Sequence, residues 1–173
     1  MRKMIWALAG MLLVTCSASA QAPRAEFSAG YSYLRLGGSE GTNQNGESFS
    51  IAGNVNPWIG IVGDFGFYHS SPFGVGLNTT TFMAGPRLTA RSTGKVEPFF
   101  QFLVGGAHLS AGLNGFSAAI TPFAFSAGTG INIKASQHIA FRPQIDYIAM
   151  RYSGSTTNAI RASINVVFRF GSQ

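Results

Sequence analysis

The chain has 173 residues, 10% of them charged, against about 25% in ordinary soluble domains, while 13% are aromatic and 22 are glycine. Its formal charge is +6, and beyond the adjacent Arg2 and Lys3 the basic residues are scattered singly. The Lys/Arg patch that nucleic-acid binding needs is missing, so no nucleic-acid partner is expected.

Residues 1–20 read as a secretory signal peptide. Arg2 and Lys3 form a charged start, Ile5 to Val14 an apolar core, and Ala18-Ser19-Ala20 a small-x-small site with cleavage after Ala20. The apolar run is too short for a transmembrane helix, which needs about 20 apolar residues. Residues 21–173 then form one domain with a formal charge of +4, Arg2 and Lys3 having left. The single cysteine, Cys16, lies inside the leader. A lipoprotein reading would make it the mature N-terminus, but Thr15 before it is bulkier than the Gly, Ala or Ser such a site favours. Otherwise the mature chain holds no disulfide and no thiolate chemistry.

The rest alternates with period two, the signature of strands with one apolar and one polar face. The first strand covers Arg24 to Leu36, with Phe27, Ala29, Tyr31 and Tyr33 opposite Glu26, Ser28, Gly30 and Ser32. Gly37 to Gly46 has loop composition. The second covers Ser48 to Asn56, and Asn56-Pro57-Trp58 makes a tight turn. The third, Ile59 to His69, sets Ile59, Ile61, Phe65 and Phe67 against Gly60, Asp64, Gly66 and Tyr68, and Ser70 to Gly76 follows as a loop. The fourth runs from Asn78 to Arg91 and ends in the turn Ser92-Thr93-Gly94. The fifth, Lys95 to Leu109, points Glu97, Phe99, Gln101 and Leu103 inward, and Ser110 to Thr121 reads as a longer loop. The sixth covers Pro122 to Lys134, with a short turn at Ala135-Ser136-Gln137. The seventh, His138 to Tyr152, carries Arg142, Gln144 and Asp146 on its polar face, before a polar loop at Ser153 to Thr157. The last, Asn158 to Phe170, has Ala162, Ile164, Val166, Phe168 and Phe170 on one face. Arg161, Ser163, Asn165 and Arg169 lie on the other, with Val167 among them.

Eight strands joined by alternately short and longer connections predict an all-β, eight-stranded, up-and-down antiparallel transmembrane barrel. Strands of ten or more residues suit a tilted bilayer crossing. A soluble barrel would also alternate, but its polar face would carry many Lys and Glu. Here the polar face is mostly Gly, Ser, Asn and Thr, which suits a narrow lumen. Pro86, Pro98 and Pro143 each remove a ladder donor; they are read as rim positions or bulges on the lipid face. Tyr31, Tyr33, Trp58, Phe67, Tyr68, Tyr147, Phe168 and Phe170 lie near strand ends, where interfacial girdles form.

These residues resemble the small OmpA-like outer-membrane β-barrel family, in its stand-alone form. The resemblance spans Arg24 to Gly171 and rests on Gly30-Tyr31-Ser32-Tyr33, Ala52-Gly53-Asn54-Val55-Asn56 and Phe82-Met83-Ala84-Gly85-Pro86-Arg87. Val104-Gly105-Gly106-Ala107, Arg142-Pro143-Gln144-Ile145-Asp146-Tyr147 and Val166-Val167-Phe168-Arg169-Phe170 complete it. It implies a place in the cell outer membrane, with membrane lipid and the barrel-assembly machinery as partners. Phe168 and Phe170 are similar to the C-terminal aromatic signal that this machinery reads. Two features depart from the pattern: Gly171-Ser172-Gln173 follow the last aromatic, and no residues remain for a peptidoglycan-binding domain.

The inward ionisable residues are Glu26, Asp64, Glu97 and Asp146 with Arg87, Arg142, Arg161 and Arg169. Unpaired buried charge is costly, so these eight should pair. A salt-bridge plug through the lumen is expected; the alternative is a charged eyelet in a narrow, low-conductance channel for small solutes. Catalysis is not expected. His69-Ser70-Ser71 lies at an outer rim where a lipid-directed hydrolase could act, yet no acid is close in sequence, although one from another strand could orient the imidazole, and the His-x-Ser spacing of the lipid A deacylase barrels is not expected in the chain. The histidines are isolated from one another, so no metal and no cofactor is expected. The chain thus reads as a barrel with a structural or surface-interaction role, its surface ligand unknown.

Overall fold

A computed structural model describes residues 23–37, 41–71, 76–91, 94–113 and 116–171. The expected signal peptide lies outside them. The strands are β1 (Ala25–Leu36), β2 (Thr42–Asn54), β3 (Ile59–Ser70), β4 (Gly76–Thr89) and β5 (Val96–Leu113). They continue as β6 (Phe116–Ile120), β7 (Phe123–Lys134), β8 (Ile139–Tyr152) and β9 (Ser155–Phe170). Every pairing is antiparallel, and β1 pairs with β9, which closes the sheet. β6 and β7 share one register against β5, Leu109 facing Ile120 and Gly106 facing Phe123. They are a single stave interrupted at Thr121-Pro122, so the barrel has eight staves.

The registers fix the tilt. Ladder partners lead from Asn54 through Gly60, Arg87, Gln101, Gly128, Asp146, Arg161 and Leu34 back to β2 at Gln44. One circuit therefore climbs ten residues, and the staves lean by about 40° from the axis. Along β9 the outward positions from Ile160 to Phe170 then cover about 25 Å of height, which matches the apolar band of outer-membrane barrels. The end with the short turns is the base of the barrel, and the opposite end is the rim.

Two base turns are built alike. Asn56 Oδ1 accepts from the backbone N–H of Trp58 and Ile59, both at 2.8 Å. Ser136 Oγ accepts from His138 and Ile139 at 3.2 and 3.1 Å. In each, a short polar side chain stands in for a backbone acceptor and holds the reversal.

At the rim the connections are shorter than expected. β2 begins at Thr42, inside the expected Gly37–Gly46 loop, because its alternating polar residues pair with Leu36 to Tyr33. The expected Ser70–Gly76 loop loses both ends to β3 and β4; residues 72–75 lie outside the described ones. The expected Ser110–Thr121 loop is instead a hairpin, β5 running on to Leu113 and β6 returning from Phe116. The expected Ser153–Thr157 loop shrinks to Ser153-Gly154, whose φ angles of 46° and 85° are the left-handed values of a two-residue hairpin turn. Loop-like composition thus misled: Thr, Ser and Ala form strands readily once a ladder partner continues.

The prolines also differ from expectation. Pro86 and Pro143 lie inside β4 and β8, and neither makes a bulge. Register is kept on both sides: Ala84 pairs Val104 and Arg87 pairs Gln101; Gly130 pairs Gln144 and Ile133 pairs Phe141. The ladder simply skips two rungs where the donor is missing. All three prolines do face outward, as expected.

Candidate functional site

Alternation sends one side chain in two into the lumen, and tilt sorts these into layers. The base half is ionic. Four of the six acidic residues of the chain are buried there or at mid-height: Glu26, Asp64, Glu97 and Asp146. Arg142 reaches Glu26 at 2.5 Å, and Arg91 and Arg87 approach the same carboxylate at 3.2 and 3.7 Å. Glu97 takes Arg169 at 2.5 Å, Lys134 at 2.9 Å and Arg91 at 3.5 Å. The Phe99 ring lies under the guanidinium groups of Arg87 and Arg142, 4.8 and 5.2 Å from its centroid. Its negative face offsets the crowding of two like charges.

At mid-height Arg161 bridges two carboxylates on different staves. Nη1 lies 2.6 Å from Asp64 and Nε 2.9 Å from Asp146. Gln101 links the layers, accepting from Arg87 at 2.7 Å and donating to Asp146 at 3.0 Å. Gly128 makes this possible, since a Cβ there would stand 1.8 Å from Asp146 Oδ1.

All eight lumen residues expected from the sequence thus meet in one network. Arg91 and Lys134 join it unexpectedly: Lys134 shares the inward parity of Asn132 on β7, and Arg91, two residues past the end of β4, is buried like Arg87. Tyr68, expected in the aromatic girdle, is instead buried in the lumen, where its hydroxyl accepts from Arg161 Nη1 at 3.5 Å. Inward parity wins over its place near a strand end.

Toward the rim the lumen is mixed, with buried Gln44, Thr79, Thr81 and Tyr68 among apolar side chains. Leu34, Leu103, Ile148, Met83 and Met150 form one cluster with small alanines. Near the rim, recesses of about 290 and 230 Å³ open over it. The first is lined by Leu36, Leu77, Leu109, Ile120, Gln44 and Thr79 among others, and the second by Leu109, Ile120, Pro122, Met150 and Tyr152 with the β8–β9 turn.

The outer wall shows the converse. Phe27, Ile51, Ile61, Phe65, Phe100, Phe141 and Ile164 are exposed in an apolar belt. Phe168 stacks on Phe27 at its base end. Above Phe67 the outward face of β3 carries His69, and Ser71 follows just past the strand end; both are exposed. His69 Nδ1 lies 2.7 Å from Asn78 Oδ1, and Ser71 Oγ lies 3.1 Å from His69 Nε2. Contrary to expectation, His69 and Ser71 stand in His-x-Ser spacing, and the ladder places the amide of Asn78, not an acid, opposite His69. His108 meets Thr121 across the β5–β6 hairpin at 2.9 Å, and His138 sits in a base turn. Among the described residues no three His, Cys, Asp or Glu side chains gather to hold a metal.

Comparison with known proteins agrees with this architecture. Neisserial surface protein A superposes with a TM-score of 0.75 at 13% identity, covering 87% of this chain and all of that one. The attachment invasion locus protein Ail of Yersinia pestis gives 0.61 at 14% identity, covering 85% and 99%. The N-terminal barrel of Pseudomonas aeruginosa OprF gives 0.58 at 13% identity, covering 86% and 100%. At these identities the likeness is one of fold. No curated protein matches the chain in sequence. The model of the outer membrane protein beta-barrel domain matches residues 6–170, nearly the whole chain, and the chain belongs to that family.

Proposed function

We propose that this outer-membrane barrel is closed to solutes and works through its rim, as a structural and surface-interacting protein. One observation carries the reading: Arg161, fully buried, ties β9 to β3 through Asp64 and to β8 through Asp146, so a charge-paired bar crosses the lumen. Breaking such a pair to admit an ion would strand uncompensated charge in a low-dielectric interior. The buried cluster of Leu34, Leu103 and Ile148 adds a second barrier. The rim recesses over this floor offer apolar surface to a ligand or partner arriving from outside.

In this reading residues 1–20 direct export across the inner membrane, and the barrel-assembly machinery then inserts the domain, reading Phe168 and Phe170. The base faces the periplasm, and outer-membrane lipid surrounds the belt. The test is conductance of the refolded protein in a planar bilayer. The expected trace is silent at moderate voltage; steady single-channel steps would overturn the closed lumen and favour a narrow channel.

A further inference from the structure

We infer that Ser71, His69 and Asn78 form a nucleophile–base–orienter site on the outer wall, directed at acyl esters of lipids in the outer leaflet. The inference goes beyond the structural role proposed above. His69 faces outward from β3, Ser71 stands exposed one residue past the end of that strand, and the β3–β4 ladder sets Asn78 opposite His69. The 2.7 Å contact with Asn78 Oδ1 suits the His69 tautomer protonated on Nδ1, since an amide oxygen only accepts. Nε2 then presents its lone pair to Ser71 Oγ at 3.1 Å. That is the geometry of an activated nucleophile: nucleophile and base within hydrogen-bond reach, the base held by a third group.

Position selects the substrate. Phe65 and Phe67, directly below on the same face, belong to the lipid belt, and Phe82 lies below Asn78 on β4. The site stands one pleat above the last belt aromatic, about 5 Å higher along the axis. Ester linkages of membrane lipids lie at this boundary between hydrocarbon and headgroups.

The chemistry balances with water as the second reactant. Ser71 Oγ bonds to the ester carbonyl carbon while its proton passes to His69 Nε2. The bond from that carbon to the lipid alkoxide breaks, and His69 returns the proton to the leaving oxygen. Water then attacks the acyl-serine ester, giving up a proton through His69. The serine oxygen leaves with that proton, and a fatty acid is released. Asn78 is a positioning residue; it holds the imidazole and touches no reacting atom.

The experiment uses the refolded full barrel in vesicles. One set contains glycerophospholipid alone, and the other adds lipid A, so released fatty acid identifies its source. Free fatty acid is measured by mass spectrometry, and heat-modifiable migration on a gel verifies folding of each variant. Wild type is expected to release fatty acid from at least one set. Ser71→Ala should fall to vesicle background and His69→Ala should fall by about 10²- to 10⁴-fold. Asn78→Asp should remain active with its pH profile moved to higher pH, because a carboxylate favours the imidazolium. Release no greater than protein-free vesicles in both sets overturns the inference, and so does a Ser71→Ala variant as fast as wild type. Neither result bears on conductance, so this site and the closed lumen stand or fall separately.

Discussion

Glu26 and Arg142 meet at 2.5 Å across 116 residues of sequence, and across a stave as well: β1 and β8 are separated by β9. The contact passes through the lumen, behind the backbone that divides its owners. It ties the first stave to the penultimate one, so the ionic layer helps to fix closure of the barrel as well as to fill it.

Glu26→Gln is therefore expected to be costly. It keeps shape but leaves Arg142, Arg91 and Arg87 facing a neutral amide. Removing one partner of a buried charged cluster costs about 3–5 kcal/mol. The check is the urea midpoint of the refolded barrel in bilayers. An unchanged midpoint would mean that the three arginines are held by other groups.

Gly128→Ala tests the packing of the mid-height layer. The added methyl would lie where Asp146 Oδ1 now sits, and Asp146 cannot retreat without leaving Arg161 and Gln101. Overpacking typically costs about 1–3 kcal/mol. The unfolding midpoint should drop accordingly. Gly53→Ala is the control, since nothing lies within 4 Å of a Cβ there. Equal effects of the two would show that glycine loss, not the Asp146 clash, sets stability.

Strand number, lumen and lipid faces and the eight charged lumen residues were legible in the sequence because each depends only on period two. Three features were not. The apolar cluster around Leu34 and Ile148 needs the ten-residue climb of the registers, since these two share inward parity with Ser32 and Asp146 and differ from them only in height. The rim hairpins were hidden because Thr, Ser and Ala serve loops and strands alike, and only pairing decides between them. The contact of His69 with Asn78 was hidden because nine residues separate them in the chain, while the ladder makes them direct neighbours.

Leader cleavage gives a mass prediction. Intact mass of protein purified from outer membranes should correspond to a chain beginning at Gln21, without lipid. Small residues at Ala18 and Ala20 suit the peptidase, and bulky Thr15 argues against acylation of Cys16. A mature chain starting at Cys16 with added acyl mass would replace this reading by a lipoprotein one, and the barrel would then carry a second membrane attachment.

The closing strand yields the last prediction. Phe170 pairs with Ala25 as the final rung of the β1–β9 seam, and Phe168 stacks on Phe27 one pleat inward, with centroids 6.5 Å apart. Both rings face outward at the base end of the belt. Gly171 then turns away from the ladder with φ of 69°, a value that suits glycine. The aromatic pair should therefore matter to insertion and the three terminal residues should not. Phe168→Ala with Phe170→Ala is expected to slow assembly severalfold in cells, read as the fraction of heat-modifiable barrel after a pulse of synthesis. Deletion of residues 171–173 should leave that fraction unchanged. If the deletion stalls assembly while the double substitution does not, the signal resides in the tail, and the two phenylalanines serve only as lipid-facing members of the belt.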